Sequence, residues 1–282
     1  MQNFSFVDET LDINLTHTYN LSIQAGLNGL SFCVFDPLIN KYTALTNLSF
    51  NKELTFDDFL DELEKTLENA DLLNYTYKTV KLIWVTSKTT LIPDVFFNKT
   101  QVKKQFELNH KLDEYDEIHY KKLHFNDTNS IFAIPSQVAS LFKRKYKNIS
   151  FYNQNIPWIN YVIDHYHSER KKVFVNIHND FIDILVCQDD KILLCNNFQI
   201  KTASDLLYFI LYTYEQLNLN KETDELIISG FIQKKSDEFE KLKDFLPHVK
   251  FEKPSEEFVY SYTFKTIPLH TFSNLFNLQH CE

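Results

Sequence analysis

The sequence predicts an α/β chain made of two β-β-β-α-β halves, the first enlarged by an inserted subdomain. The stretch Leu21 to Asp36, LSIQAGLNGLSFCVFD, sets two extended runs around a Gly-Leu-Asn-Gly turn. Val and Phe enrichment about a Gly/Asn turn reads as a β-hairpin. A similar unit follows about 150 residues later at Val173 to Cys187, VFVNIHNDFIDILVC, with Asn179 and Asp180 at its turn. Each hairpin leads into a third apolar run (Tyr42 to Leu48; Lys191 to Ile200), a helix pattern, and a strand (Lys81 to Thr86; Glu225 to Ser229). Both helices open with Thr-x-x-Asp, Thr55 with Asp58 and Thr202 with Asp205. Such a threonine oxygen accepts an orphan amide, and the aspartate sits at the positive helix end. The recurrence of order and spacing reads as an internal duplication.

At 282 residues the chain is long enough for two domains with real cores. The polar run His167 to Lys172, HSERKK, marks the expected boundary, giving a first half over 1–168 and a second over 169–282. Apolar content of 44%, with 26 Phe and 15 Tyr, indicates a folded chain. The net charge is −9, and 27 of the 29 basic residues are Lys, leaving only Arg144 and Arg170. Nucleic-acid binding draws on a basic face and Arg forks, so no nucleic-acid partner is expected. Lys143-Arg144-Lys145 reads as the solvated end of a helix. The four cysteines show no CxxC spacing, and Cys33 and Cys187 fall within strand patterns as small hydrophobes. With no signal-peptide pattern and no apolar run near 18 residues, the expectation is a soluble cytoplasmic protein with reduced thiols and no membrane insertion.

Taken in order, Met1 to Tyr19 alternates loosely between apolar and polar, as an edge strand or a packed arm would. The first helix places Phe56, Phe59, Leu60, Leu63 and Leu67 on one stripe. Lys81 to Thr86 reads as a central strand. The segment at about 90–132 has no counterpart in the second half and reads as the insertion: one or two short helices over Asp94 to Leu108, then strands at EIHYKKLHF and NSIFAI with a turn at Asn126-Asp127. Ser136 is set to cap a helix reaching about Tyr146, and Pro157 opens the next. In the second half, the helix Ala203 to Leu217 has an apolar face so broad that packing on more than one side is implied. Ser236 caps an acidic helix. The tail, Phe258 to Leu278, is too apolar to be free, so it either packs back on the molecule or covers a partner's surface.

This order of elements resembles the actin-like ATPase superfamily, and most closely the bacterial family of domain of unknown function 3822. It is also similar to the actin-like proteins of pilus and type II secretion assembly. Active members of the superfamily hold ATP and a divalent cation in a cleft between the halves, using two phosphate-facing hairpins and a glycine-rich turn for the adenosine. What the resemblance implies here is a site at Ser22, Gln24, Gly26 and Gly29 of the first hairpin, Asn179 and Asp180 of the second, and Ser229 and Gly230 at the adenosine turn. The acidic position of the first strand is taken by Ser22 or Gln24, depending on register, and neither is acidic. The second hairpin has no glycine, and His178 and Phe181 bring bulk where backbone would meet phosphate. A triphosphate with Mg²⁺ needs carboxylates, directly or through water.

The resulting expectation is a non-catalytic actin-like scaffold, with no cofactor and a protein partner or self-association through the tail and the insertion. The alternative is an ATP/Mg-binding switch or weak ATPase of the superfamily. His165-x-His167 points its rings apart, so no metal site is expected, and no Gly-x-Ser-x-Gly elbow is present.

Overall fold

The computed structural model describes residues 3–51, 54–124, 127–189 and 191–281. The chain forms two compact units: Met1–Pro157 with Ser255–Ile267 and Asn274–Glu282, and Trp158–Pro254 with Pro268–Ser273. The boundary expected at 168 thus lies eleven residues earlier, and much of the tail returns to the first unit. The polar run HSERKK that suggested the boundary is a surface loop following a buried helix.

In the first unit, β1 (Phe4–Val7), β2 (Asn20–Gly26), β3 (Gly29–Asp36), β4 (Lys41–Ser49), α1 (Phe56–Asn69) and β5 (Thr79–Trp84) follow in order. Then come β6 (Thr89–Pro93), α2 (Val102–Glu107), β7 (Asp116–Lys122), β8 (Thr128–Pro135), α3 (Ser136–Lys145), β9 (Ile149–Asn153) and α4 (Asn155–His165). The main sheet has the order β1-β4-β3-β2-β5-β9, antiparallel through β2 and parallel from β2 to β9. Leu21 to Ala25 are all buried, so β2 sets Leu21, Ile23 and Ala25 on one face and the buried polar side chains of Ser22 and Gln24 on the other. α1 lays Phe59, Leu63 and Leu67 inward at four-residue spacing, and its Thr55 hydroxyl accepts the Asp58 amide at 3.2 Å.

The segment between β5 and α3 carries a separate antiparallel sheet of order β6-β8-β7, on which α2 packs Val102 and Phe106 against Ile131 and Ala133. β7 and β8 lie where alternation placed strands. β6 was not expected, because Pro93 suggested a break; Pro93 is instead the last residue of an outer strand, a position that tolerates proline. Asp94 to Leu108 holds two 3-10 turns and only α2. The helix over 136–145 is preceded by Pro135, and Ser136 is its first residue, not its cap. Asn126, assigned to a turn, lies outside the described residues.

The second unit repeats the scheme with β10 (Lys172–Ile177), β11 (Phe181–Gln188), β12 (Lys191–Gln199), α5 (Ala203–Gln216), β13 (Leu226–Gly230), α6 (Asp237–Phe245) and β14 (Val249–Phe251). Its sheet order, β12-β11-β10-β13-β14, parallels β4-β3-β2-β5-β9 strand for strand. Thr202 and Asp205 form the reciprocal cap read from sequence, which fixes where α5 begins. Leu206, Ile210 and Tyr214 enter the core with Val175, Ile184 and Ile228. The broad apolar face expected of α5 is all in use: Leu207, Phe209 and Leu211 pack against the same core, which α6 joins with Phe239 and Leu242, while Tyr208 and Tyr212 are exposed.

The C-terminal segment adds β15 (Val259–Tyr260), parallel to β4, and α7 (Ser273–Asn277). Leu275, Phe276 and Leu278 are fully buried. The Tyr42 hydroxyl donates to the Phe276 carbonyl at 2.5 Å, and Lys81 Nζ donates to the carbonyls of Leu278 and Cys281. Of the two expectations for the tail, packing back on the molecule therefore holds: Leu275, Phe276 and Leu278 join the first unit's own core and are not presented to a partner.

A buried ion pair ties this tail to the N-terminal segment. The Asp8 carboxylate is solvent-inaccessible and meets Lys41 Nζ at 2.8 Å, the Ser261 hydroxyl at 2.6 Å and both the amide and hydroxyl of Thr10. Burial pushes its pKa up, but the hydrogen bonds from Lys41, Ser261 and Thr10 outweigh it and hold the carboxyl well below the usual range. A depressed folded-state pKa means stability present above the unfolded value, about 3.9, and lost as pH falls toward the folded one. Asp8→Asn is expected to cost about 3 kcal/mol at neutral pH. Urea unfolding should show that difference shrinking as pH is lowered below about 4.

Candidate functional site

In the first unit, β2, β5 and β9 are adjacent and parallel, so their carboxyl ends lie along one edge of the sheet. Open α/β sheets bind ligands outside such ends. On β2, Asn20, Ser22 and Gln24 alternate onto one face, and the tail occupies the first two positions. Gln279 donates from Nε2 to Ser22 Oγ at 2.8 Å and accepts from Asn20 Nδ2 at 3.0 Å. Ser22 also hydrogen-bonds the Cys33 thiol; burial pushes that thiol's pKa up, so Cys33 stays neutral. Ser22 is thereby an internal bracket for the tail. Gln24, one step further along, is buried, and its Oε1 has no hydrogen-bond partner among the described residues.

The two glycines of the β2–β3 turn differ. Gly29 has φ +150°, and a Cβ there would lie 2.3 Å from the Leu48 carbonyl oxygen, so the close pass of β4 requires it. At Gly26 the nearest atom to an added Cβ is Val85 Cβ at 3.4 Å, ordinary contact. Packing thus explains Gly29 and leaves Gly26 unexplained.

At the end of β9 sits Asn153-Gln154-Asn155, a run of three amides, all buried. Gln154 exchanges a pair of hydrogen bonds with the backbone of Thr86, at 2.8 and 3.1 Å, fixing the loop after β5. Asn153 Nδ2 donates to Thr89 Oγ1 at 2.5 Å and to Ser130 Oγ at 3.2 Å, joining the smaller sheet to the larger. Asn155 Oδ1 has no partner among the described residues. A buried acceptor without a donor costs about 1–3 kcal/mol, so these atoms mark places where a ligand or water completes the structure.

In the second unit, parallel β10 and β13 pair Asn176 with Ser229 and Ile177 with Gly230. Asn176 and Ser229 are buried, and Ser229 Oγ is unpartnered among the described residues. Gly230 has φ +85°, with the Ile177 carbonyl 2.1 Å from where a Cβ would be, so β10 alone requires glycine here. The Phe231 amide donates to that same carbonyl at 2.7 Å. Asn179 and Asp180 are exposed at the β10–β11 turn. Beneath them His178 Nε2 and Asp183 Oδ2 are 2.9 Å apart, both side chains buried, with the His178 ring stacked on Phe181 at 4.3 Å.

The residues present fit a polar, hydroxyl- or amide-bearing ligand. Among the described residues of either unit they do not fit a divalent cation. Asp183 is committed to His178, Asp180 is a solvent-facing turn residue, and the β2 position is an amide. Among the described residues no group of three His, Cys, Asp or Glu side chains could hold a metal ion. The sequence patterns do not single out Asn155 or Asn176. The amide run directly after a strand and before a proline-led helix was the available signal for Asn155. For Asn176 it was the strand position matching Gln24.

A family model described as "Protein of unknown function (DUF3822)" matches residues 8–249. No curated protein matches the chain. Among solved structures, a Bacteroides thetaiotaomicron protein described as having an actin-like ATPase fold and unknown function is 26% identical, with TM-score 0.81 over 97% of this chain and 100% of that one. The PilM-PilN type IV pilus biogenesis complex matches at 11% identity and TM-score 0.61, covering 94% and 99%. The ethanolamine utilization protein EutJ of Carboxydothermus hydrogenoformans matches at 9% and 0.52, covering 96% and 91%. With β-β-β-α-β units in both compact units, these place the chain in the mixed α/β class of actin-like ATPase architecture.

Proposed function

The chain belongs to the DUF3822 family, and on that premise we propose that it is a metal-independent, nucleotide-binding actin-like protein that works through protein contacts without hydrolysing its ligand. The two β-β-β-α-β units are, in this reading, descendants of one duplicated unit, with β6 to β8 as the insertion in the first. The observation that carries the proposal is the pairing of Gly26 with Gln24. The first is a glycine that packing does not require, and the second is a buried amide oxygen with no donor, one strand step away. A missing Cβ lets a phosphate or ribose oxygen approach the turn backbone, and the Gln24 amide offers either a donor or an acceptor to it. In the second unit Ser229 Oγ offers a hydroxyl of the same kind. The chemistry ATP would need beyond binding is charge neutralisation of a developing phosphoryl transfer by metal and acid, and among the described residues no group of three His, Cys, Asp or Glu side chains could hold that metal. Cys33, Cys187 and Cys281 are buried and no cysteine is in a disulfide among the described residues, in keeping with a reducing compartment.

Calorimetric titration of the intact protein with ATP is expected to give micromolar binding that is unchanged when Mg²⁺ is replaced by EDTA, and no phosphate release. Gly26→Ala should leave unfolding stability within about 1 kcal/mol of wild type. It should weaken nucleotide binding by about tenfold, a loss of about 1.4 kcal/mol. Absence of binding heat, or binding that depends on Mg²⁺, overturns the reading.

A further inference from the structure

We infer that the outer edge of β1, with the trough between it and α1, docks an extended segment of another protein in which basic and apolar residues alternate. β1 is the last strand of the main sheet on the side away from β9. The Asp8 amide donates to the Thr43 carbonyl at 2.7 Å. Alternation along the antiparallel pair therefore turns the backbone groups of Phe4 and Phe6 toward β4, and those of Ser5 and Val7 outward. Among the described residues, no backbone partner is present for these outward groups. The strand, Phe-Ser-Phe-Val, has none of the charges or prolines that usually blunt such an edge.

Ser5 and Val7 also line a trough of about 710 Å³. Its sheet side is apolar, with Val7, Phe32 and Leu48; its other side holds Glu62 and Lys65 of α1 and, past the helix end, Asp71. The second unit shows that this space is not a by-product of the fold. Leu48 and Phe198 hold the same ladder position in their hairpins, opposite Leu30 and Ile182. Glu62 and Phe209 each lie seven residues beyond the capping threonine. In the second unit the two rings stack at 4.5 Å and fill the gap, whereas in the first a leucine and a carboxylate leave it open.

Charge identifies the occupant. Residues 1–75 hold 12 acidic and 3 basic residues, and so carry the whole net charge of −9. α1 alone sets six acids against Lys65. These charges call for a basic partner, and the unpaired edge calls for an extended one. A strand added to β1 places alternate side chains opposite Ser5 and Val7, on the trough face. There a lysine stem can lie on Val7 and Leu48 with its ammonium toward Glu62. The residues between them fall on the other face, beside Phe4 and Phe6, whose rings meet at 5.1 Å and suit apolar neighbours. This surface supplies the protein contact of the proposed function, and an assay without nucleotide tests it separately from the nucleotide site.

The test is fluorescence anisotropy of a labelled peptide of about ten residues, alternating Lys and Val, titrated with the full chain. Binding is expected with a dissociation constant of about 10–100 µM, and a peptide alternating Glu and Val should bind at least about tenfold more weakly. Glu62→Lys should weaken binding of the Lys-Val peptide at least about fivefold. Glu240→Lys makes the same charge change at an exposed position on α6 and should leave binding within about twofold of wild type. Val7→Pro removes an outward amide that the sheet itself does not use, and should weaken binding at least about fivefold. Ser5→Pro does the same at the other outward position and serves where Val7→Pro does not fold, which thermal unfolding shows. No preference over the Glu-Val peptide, or binding indifferent to Glu62→Lys or to a folded proline variant, overturns the inference. Displacement by spermine as effective as by unlabelled peptide also overturns it, since the trough would then take a free polyamine.

Discussion

Gly230→Ala is expected to destabilise the second unit by more than about 4 kcal/mol and to leave little soluble protein. Two costs add. The backbone at φ +85° is one that side-chain-bearing residues rarely adopt, and the new methyl would fall 2.1 Å from the Ile177 carbonyl and 2.7 Å from Asn176 Oδ1. Neither neighbour can yield cheaply. The carbonyl accepts the Phe231 amide at 2.7 Å, and Asn176 lies in the central strand of the sheet. Urea unfolding, or soluble yield where the variant does not accumulate, measures the effect. A loss below about 1 kcal/mol would mean that β10 and β13 do not approach as closely as described. Gly26→Ala is the internal contrast, because the same substitution there meets only ordinary contact with Val85.

Phe276→Ala is expected to cost about 4 kcal/mol, at the upper part of the range for emptying an aromatic site. Its ring is fully buried and lies 4.8 Å from Tyr42 and 5.1 Å from Tyr260. Those rings belong to β4 and β15, so the cavity would open where the tail meets the main sheet. The Tyr42 hydroxyl would keep its bond to the residue 276 carbonyl, leaving the loss to packing alone. A chevron analysis is the suitable measurement. If the tail docks late in folding, nearly all of the change falls on the unfolding rate. A stability change under about 1.5 kcal/mol would return the tail to the status of a removable surface segment.

Much of the architecture was legible because it is written locally. Thr55 with Asp58 and Thr202 with Asp205 announce two helix starts, since a cap needs only residues within one turn. The hairpins at 20–36 and 172–188 are equally local, a turn between two β-rich runs. β6 was not legible, because Pro93 is a strand-breaker unless the strand is an outer one, and that depends on β8. The broad apolar face of α5 was legible too, since its six residues all pack on a core shared by the sheet and α6.

The candidate site divides in the same way. The alignment of Ser22, Gln24, Gly26 and Gly29 on one hairpin followed from sequence, yet four neighbours on one hairpin turned out to have three different roles. Ser22 holds the tail through Gln279, a residue 257 positions away. Gly29 makes room for β4, and Gly230 makes room for β10. Gln24 and Gly26 alone remain without an internal purpose.

By itself, then, the sequence determined most of the elements and their order in both halves. These follow from short-range periodicity, capping and residue identity. Only the tertiary structure decided which polar groups are spent on the chain's own packing and which are left over. That depends on contacts between segments far apart along the chain, and no local pattern encodes the distance between a glycine and the strand that passes over it.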